Sequence, residues 1–336
     1  MSRKVRWGVI SSANIAQRRF IPAILKSELA ELLAIGSRSS DTAQALAGNF
    51  NIPRYYGSYQ AMLDDPEIDA VYIPLPNAWH AEWTIKAADA GKHILCEKPM
   101  ALDAEEAVAM ADHSRDKGVL LMEAFMYRFN PRTLKIKKVI EQGLIGDLRT
   151  LYSEFSFTLE ARHDSRLIPG KGAGSLMDVG CYCVNISRYL FGEEPAAALA
   201  AATHHPEIRC DMTQSAILEF QGGRTALMNS SFETGYRNSL VAAGTEGVLK
   251  VDKPFTPDEQ GKIGFRVETR DGRIHTFEVD AVDQFLLEID HFSRCVAEGK
   301  TPMLDPYAEA VANARVIDAI RESTELGGKA AVSRTI

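Results

Sequence analysis

The sequence lacks the features that mark several large classes of protein. Its 336 residues carry a net charge of −7 and no basic block, which argues against a nucleic-acid-binding surface. No apolar run approaches the roughly 18 residues that a membrane helix needs. The first residues run into a strand pattern without the apolar core of a signal peptide. We therefore expect a cytoplasmic protein that binds neither nucleic acid nor membrane.

Cysteine is scarce, and its spacing is uninformative. Five cysteines without CxxC spacing fit a reduced protein better than a disulfide scaffold. Cys181 and Cys183 follow His163, but this CxC pair lacks the usual partners of a zinc site, so we expect no metal. Hydrophobic residues make up 46% and charged residues 25%, which is typical of a globular chain long enough for two domains.

Glycine is absent where a dinucleotide motif would have it. A first strand over residues 5–10 leads into a helix, and GxGxxG or GxGxxA would fall on Ser11, Ala13 and Ala16. Small residues still let a pyrophosphate approach the backbone at a helix N-terminus. The motif alone does not separate a dinucleotide site from a plain strand–turn–helix.

An acidic residue is also missing at the end of the second strand, where Ser37 and Arg38 stand instead. In NAD sites an acid there binds the ribose 2′-hydroxyl, whereas arginine suits a 2′-phosphate. The alternative is an arginine in a solvated loop. If the fold is of this type, NADP(H) is favoured over NAD(H).

The order of strand and helix patterns predicts α/β plus α+β architecture. Residues 1–125 alternate strands and helices with short connections, which indicates an N-terminal Rossmann domain, a doubly wound parallel sheet that binds NADP. Strands joined by tight turns dominate after residue 147, so residues 126–336 are expected to form a substrate-binding and oligomerisation domain on a large, open, mostly antiparallel sheet.

Two groups of side chains stand out against this fold. Lys98 follows a buried strand, and open parallel sheets bind ligands beyond the carboxyl ends of their strands. A surface lysine is the alternative. In the second region Asp178, Tyr182, Asn185 and Tyr189 share one face of a helix, where Asp178 and Tyr182 serve either chemistry or a hydrogen-bonded domain interface.

Several ordered motifs together resemble the Gfo/Idh/MocA family of nicotinamide-dependent sugar oxidoreductases. They are residues 7–16, Pro76-Asn77 with His80, residues 90–93, Glu97-Lys98-Pro99, residues 172–182 and residues 289–292. The stretch Glu123-Ala124-Phe125-Met126-Tyr127-Arg128 and the tyrosine at 182 are most similar to the dihydrodiol and xylose dehydrogenases and the glucose–fructose oxidoreductase group. The resemblance spans nearly the whole chain.

The resemblance implies a role for each matching residue. Lys98, Asp178 and Tyr182 correspond to the catalytic set, and the same three with Glu123 would bind substrate. The positions implied to line the cofactor are Ser11, Ser12, Ala13, Asn14, Ile15, Ser37, Arg38, Leu75, Asn77, His80, Glu97, Lys98 and Arg166. The proline of Glu97-Lys98-Pro99 is commonly cis in the family.

These residues could oxidise an alcohol on a sugar or a sugar-like substrate. Tyr182 would exchange the hydroxyl proton, and Lys98, expected across a domain cleft, would favour the phenolate and polarise the substrate oxygen. Two rivals keep the fold: a glycosidase that retains NAD, and a sugar-sensing regulator without catalysis. An open sheet face also predicts a homo-oligomer, either a dimer or a tetramer.

Overall fold

The computed structural model describes residues 3–160, 164–168, 170 and 172–333 of the chain. They divide into two compact units. The first unit comprises residues 3–126 and 283–311, and the second comprises the described parts of 127–282 and 312–333. Among the described residues, no helix has the length and apolar character required to cross a membrane.

The first unit contains a six-stranded parallel sheet. Its strands are β1 (Val5–Ile10), β2 (Ala30–Gly36), β3 (Arg54–Tyr56), β4 (Ala70–Ile73), β5 (His93–Glu97) and β6 (Leu121–Ala124). Their order is β3-β2-β1-β4-β5-β6, with parallel pairing throughout. The order reverses between β1 and β4, and ligands of such sheets bind at this switch point.

Helices connect these strands. They are α1 (Ile21–Ile24), α2 (Ser40–Phe50), α3 (Tyr59–Leu63), α4 (His80–Asp89) and α5 (Ala104–Asp116). A π-helical turn, Ala16–Phe20, leads into α1. Ser39, Ser58 and Asp103 cap α2, α3 and α5 by accepting a backbone N–H with the side chain, which explains where these helices begin.

The second unit is built on a nine-stranded sheet. After α6 (Pro131–Glu141) come β7 (Leu148–Ser156), α7 (Cys181–Phe191), β8 (Ala197–His204), β9 (Asp211–Glu219), β10 (Thr225–Ser231), β11 (Arg237–Gly244), β12 (Gly247–Asp252), β13 (Lys262–Thr269) and β14 (Ile274–Asp280). The order is β14-β13-β12-β11-β7-β10-β9-β8-β15, where β15 is Ala330–Ala331. Only the pair β7 and β10 is parallel among the described strands of this sheet.

Two further helices follow β14, namely α8 (Gln284–Glu298) and α9 (Ala312–Leu326). The first returns to the parallel sheet, because Phe292 packs on Trp7 with 5.6 Å between ring centroids and Ser293 accepts the Trp7 indole N–H at 3.0 Å. The predicted division at residue 125 assigned this helix to the second domain, whereas in the structure it packs in the first unit.

The predicted fold class is confirmed. The parallel sheet and the mostly antiparallel sheet both form where the sequence patterns place them. Central strands of the first unit are buried on both faces, as β4 shows with four fully buried residues, which explains their near-continuous apolar sequence.

Candidate active site

The turn after β1 adopts the backbone conformation of the missing glycine. Ser11 has φ 118°, in the region that side chains other than glycine rarely enter. Its N–H donates to the Gly36 carbonyl at 2.9 Å, and its hydroxyl accepts the Ala13 N–H at 3.0 Å. These two bonds hold the turn beside the end of β2. Asn14 and Ile15 are exposed on the same segment, and Ser12 and Ala13 are half-buried.

The end of β2 presents the arginine that the sequence singled out. Ser37 is buried, whereas Arg38 is exposed and stacks its guanidinium over the Trp79 ring, 5.1 Å from the centroid. This cation–π contact orients the guanidinium at the carboxyl end of the sheet. Leu75 is buried and Asn77 is half-buried in the loop after β4. The turn after β1 and the ends of β2 and β4 thus supply most of the predicted cofactor-lining positions.

Lys98 follows the last residue of β5 and is half-buried. The peptide bond between Lys98 and Pro99 is cis. Glu97 accepts two hydrogen bonds, from the Tyr72 hydroxyl at 2.5 Å and from the Lys98 N–H at 3.2 Å. Tyr72 in turn stacks on Phe20, with 3.9 Å between centroids. The start of the Lys98 loop is therefore anchored to a buried aromatic pair.

His80 is fully buried between two loops. Its Nε2 lies 2.8 Å from the Leu75 carbonyl oxygen, and its Nδ1 lies 2.9 Å from the Pro99 carbonyl oxygen. Burial lowers the pKa of His80, while the neighbouring carbonyls act in the opposite direction. Its predicted place in the cofactor site stays a prediction; the structure places its ring between the loop after β4 and the Lys98 loop, and the neutral ring can donate its single N–H to only one of the two carbonyls.

Glu123, the last of the predicted substrate-binding residues, is 2% exposed in β6. Its Oε1 accepts the Met100 N–H at 2.8 Å. That contact was not anticipated from the sequence. The one available signal was the position of Glu123, an acid within an otherwise apolar strand. A role in substrate binding stays a prediction.

In the second unit, Tyr182 lies within an aromatic cluster. The Tyr182 ring is 4% exposed and packs against Phe255, Phe155 and Tyr127 at centroid distances of 5.2, 5.6 and 5.8 Å. The Tyr127 hydroxyl donates to Asn185 Oδ1 at 2.5 Å. The helix face with Tyr182 and Asn185 is therefore packed rather than solvated, and the cluster restricts the tyrosine ring to one orientation.

Asp178 forms an ion pair that the sequence did not predict. Arg166 Nη1 lies 3.5 Å from Asp178 Oδ2, and Arg166 binds Asp164 with two shorter contacts, 2.7 and 2.8 Å. The Asp164 carboxylate raises the pKa of Arg166, and Arg166 lowers the pKa of Asp164. Arg166 was predicted to line the cofactor; in the structure it orients the carboxylate of a predicted catalytic residue.

Close packing explains why glycine occurs at positions 174 and 180, in the segment that leads into α7. A β-carbon on Gly174, which has φ 103°, would overlap the Asp211 carboxylate. A β-carbon on Gly180 would lie 2.9 Å from Ser230 Oγ. Asp211 also accepts the Leu176 N–H and the Ser175 hydroxyl, both at 2.7 Å. The π-helical turn Leu176–Gly180, which carries Asp178, is thereby pressed onto β9 and β10.

The predicted absence of a metal rested on the cysteine and histidine pattern. Within the described ranges, no three His, Cys, Asp or Glu side chains converge as a metal site would require. His163, which the sequence placed near this pattern, lies outside the described residues. All five cysteines are buried thiols.

Comparison with known proteins identifies the family. The model of the GFO_IDH_MocA oxidoreductase family, NAD-binding Rossmann fold, matches residues 5–125, and the model of the family's C-terminal domain matches residues 133–250. This chain belongs to the Gfo/Idh/MocA family. The resemblance inferred from the motifs is thus confirmed, and the protein is an NAD(P)-dependent oxidoreductase.

Similar proteins fall in the subgroups that the motifs indicated. The chain is 41% identical to D-xylose 1-dehydrogenase (NADP(+)) 2 of Haloferax volcanii, over 96% of this chain and 98% of that one. It is 31% identical to trans-1,2-dihydrobenzene-1,2-diol dehydrogenase of Mus musculus, over 95% and 96%. KijD10, a 3-ketoreductase from Actinomadura kijaniata solved with NADP and TDP-benzene, shares 32% identity with a TM-score of 0.90, covering 96% of this chain and 98% of that chain.

Proposed function

We propose that this enzyme transfers hydride between NADP(H) and the carbinol or carbonyl carbon of a sugar or sugar-like substrate. The observation that carries the proposal is the intact catalytic set of the family. Lys98 stands on an anchored loop at the carboxyl edge of the parallel sheet, and Asp178 and Tyr182 occupy one braced helix of the second unit. A regulator without catalysis would not need these three residues.

The residues at the switch point fit a dinucleotide with a 2′-phosphate. Ser11 gives the turn after β1 the conformation that lets a pyrophosphate approach the backbone. Ser37 and Arg38 replace the acid that would repel a 2′-phosphate, and the Arg38 guanidinium is exposed and oriented by Trp79. The predicted preference for NADP agrees with the cofactor named for the Haloferax and Actinomadura relatives.

The cofactor, when bound, supplies the hydride acceptor or donor; the chain supplies binding and proton transfer. We assign Tyr182 as the group that takes the substrate hydroxyl proton in oxidation and returns it in reduction. Lys98 stabilises negative charge on the substrate oxygen and on the phenolate. Asp178, oriented by Arg166, accepts a hydrogen bond from a substrate hydroxyl.

A free aldose is the substrate we place first. The relative at 41% identity is named for D-xylose, whereas KijD10, the 3-ketoreductase solved with TDP-benzene, is 32% identical. Asp178, which is paired with Arg166 and stands four residues before Tyr182, offers a carboxylate that sugar hydroxyls can bind.

A double-mutant cycle tests the assigned roles. Lys98→Ala should lower kcat by several orders of magnitude, and Tyr182→Phe by at least about 10²-fold, the usual contribution of a general acid–base group. If the two groups act in one step, the double variant should lose little more than Lys98→Ala alone. The affinity for NADP, measured by quenching of protein fluorescence, should stay nearly constant in Tyr182→Phe.

The control is Tyr152→Phe, which removes an exposed hydroxyl from β7 and should leave kcat unchanged. Full activity in Tyr182→Phe would refute its acid–base role. Multiplicative losses in the double variant would mean that Lys98 and Tyr182 act independently.

A further inference from the structure

In the Lys98 loop, residues 97–102, side chains bind the backbone N–H of every second residue from Lys98 to Leu102. Glu97 accepts the Lys98 N–H at 3.2 Å, Glu123 accepts the Met100 N–H at 2.8 Å, and Glu106 accepts the Leu102 N–H at 2.6 Å. His80 meets the Pro99 carbonyl at 2.9 Å between the first two of these contacts.

These four side chains come from different elements of the first unit. Glu97 ends β5, Glu123 lies in β6, Glu106 is in the first turn of α5, and His80 begins α4. The loop is therefore tied to strand β6 and to helices α4 and α5, which pack against each other. A carboxylate that accepts a backbone N–H forms a charge-assisted bond, stronger than a bond between neutral groups.

The side chains that bind the loop differ in how exposed they are. Glu123 is 2% exposed and His80 is 0% exposed, so neither presents a solvent-facing side chain to a ligand. Both contact the backbone on either side of the Pro99–Met100 peptide bond. Their atoms reach the segment that follows Lys98, and catalytic groups need to be held within a fraction of an ångström to be effective.

We propose that Glu123 and His80 are positioning residues, which clamp the peptide after Lys98 and set the place of its ammonium group, and not residues that touch substrate or cofactor. This inference rests on the proposed function for the catalytic role of Lys98, while the clamp itself is a property of the first unit. Glu123 fixes the Met100 amide, and the His80 ring lies between the Pro99 and Leu75 carbonyl oxygens, where its neutral form donates its single N–H to one of them.

The decisive comparison is between Glu123→Leu and Glu123→Gln. Glutamine keeps an oxygen that can accept the Met100 N–H, whereas leucine removes the acceptor at similar volume. Amide hydrogen exchange should be about 10-fold to 100-fold faster at Met100 in Glu123→Leu, the loss expected for a hydrogen bond to a charged group. In Glu123→Gln it should stay within about threefold of the wild type, because the bond is kept.

Kinetics separate positioning from direct binding. With NADP⁺ and the aldose found to be oxidised, Glu123→Leu should lower kcat about 10-fold or more and leave KM for the sugar within about threefold, since the clamp acts through Lys98. Glu123→Gln should restore kcat. Glu105→Leu removes an exposed carboxylate from the same region and is the matched control; it should change neither exchange nor kcat.

If Glu123→Leu does not fold, Glu106→Ala tests a second, half-exposed carboxylate, which binds the same loop from α5. It should speed exchange at Leu102 and lower kcat in the same direction. A rise in sugar KM that is equally large in Glu123→Gln and Glu123→Leu would make Glu123 a substrate ligand and overturn the inference. Unchanged Met100 exchange in Glu123→Leu, or unchanged Leu102 exchange in Glu106→Ala, would also overturn it.

Absence of any NADP-linked activity in the wild type would refute the proposed function alone, because the exchange measurement would still decide whether Glu123 clamps the loop.

Discussion

At the scale of single residues, Arg166 and Arg38 carry the same guanidinium group in different surroundings. Arg166 is half-buried and pairs with two aspartates, Asp164 and Asp178. Arg38 is exposed and stacks on Trp79. Both were predicted to line the cofactor, and for both this stays a prediction.

Glu288 is a buried acid whose ionised form would destabilise the folded protein. It is 1% exposed in α8, and neither carboxyl oxygen has a hydrogen-bond partner among the described residues. Burial, and after it the charge of Glu97, raises the pKa of Glu288 well above its usual range. The folded protein therefore holds this carboxyl protonated at pH values where the unfolded chain has released the proton.

This difference predicts how stability depends on pH. The contribution of protonated Glu288 is fully present below the unfolded pKa of about 4.3. It is then lost at about 1.4 kcal/mol per pH unit as the pH rises towards the folded pKa. Glu288→Gln, which cannot ionise, should match the wild type near pH 4 and exceed it increasingly towards pH 8 in urea unfolding. The exposed Glu105→Gln is the control, and parallel stability curves for wild type and Glu288→Gln would contradict this account.

Residue patterns placed the candidate side chains on their elements but did not predict which residues they contact. Lys98 at a strand end and the Asp178 and Tyr182 spacing were visible because strand and helix periods place them. The contact between Arg166 and Asp178 was not, because the two residues are 12 positions apart in the sequence and no helix or strand period relates them. The burial of His80 and Glu123 depends on neighbouring layers that no local pattern specifies.

At the scale of elements, the entry into α7 is a closely packed segment of the second unit. Its π-helical turn lies so close to β10 that Gly180 has no room for a side chain, with Ser230 Oγ and Leu176 Cδ1 at 2.9 and 3.1 Å from an added β-carbon. The sequence identified this glycine only through family resemblance, since a glycine within a helix otherwise lowers helix propensity.

Gly180→Ala should therefore destabilise the protein by about 1–3 kcal/mol, the usual cost of overpacking. Gly48→Ala is the matched control, because Gly48 lies in exposed α2 with nothing near its added β-carbon. It should be neutral or stabilising by about 0.4–1 kcal/mol. Adding Ser230→Ala to Gly180→Ala should recover part of the loss in thermal unfolding. Equal effects of the two single glycine substitutions would contradict the close packing.

The sequence predicted whether a segment forms a strand or a helix better than it predicted which elements pack together. Short apolar runs marked the strands of both sheets, since their alternation or continuity reflects burial. The parallel pairing of β7 with β10 inside an otherwise antiparallel sheet was not foreseen. Nor was the return of α8 to the first unit, because a helix pattern shows which face is apolar and not which surface covers it.

At the scale of the whole molecule, one face of the nine-stranded sheet exposes apolar side chains. Tyr152 in β7, Leu199 in β8 and Ile217 in β9 are 48%, 44% and 37% exposed and line one groove. Apolar side chains grouped in this way usually mark an interface. We propose that a second copy of the chain covers them.

Light scattering should then give a dimer or a larger closed oligomer for the wild type. A variant with both Leu199→Glu and Ile217→Glu should be monomeric, because two buried carboxylates would face their counterparts across the interface. Ile274→Glu, an equally apolar and more exposed site on the edge strand β14, serves as the control. A monomeric wild type would refute the assembly.

We propose above that this family member oxidises a sugar with NADP⁺ and that Tyr182 takes the proton. The most direct measurement follows the absorbance of reduced nicotinamide while purified protein is offered pentoses, hexoses, anhydro-sugars and diols with NADP⁺ or NAD⁺. We expect at least one aldose to be oxidised, with NADP⁺ clearly preferred, the preference lost in Arg38→Ala and the activity lost in Tyr182→Phe. Equal use of the two cofactors by the wild type would contradict the 2′-phosphate site, and no reduction with any substrate of the panel would contradict the account as a whole.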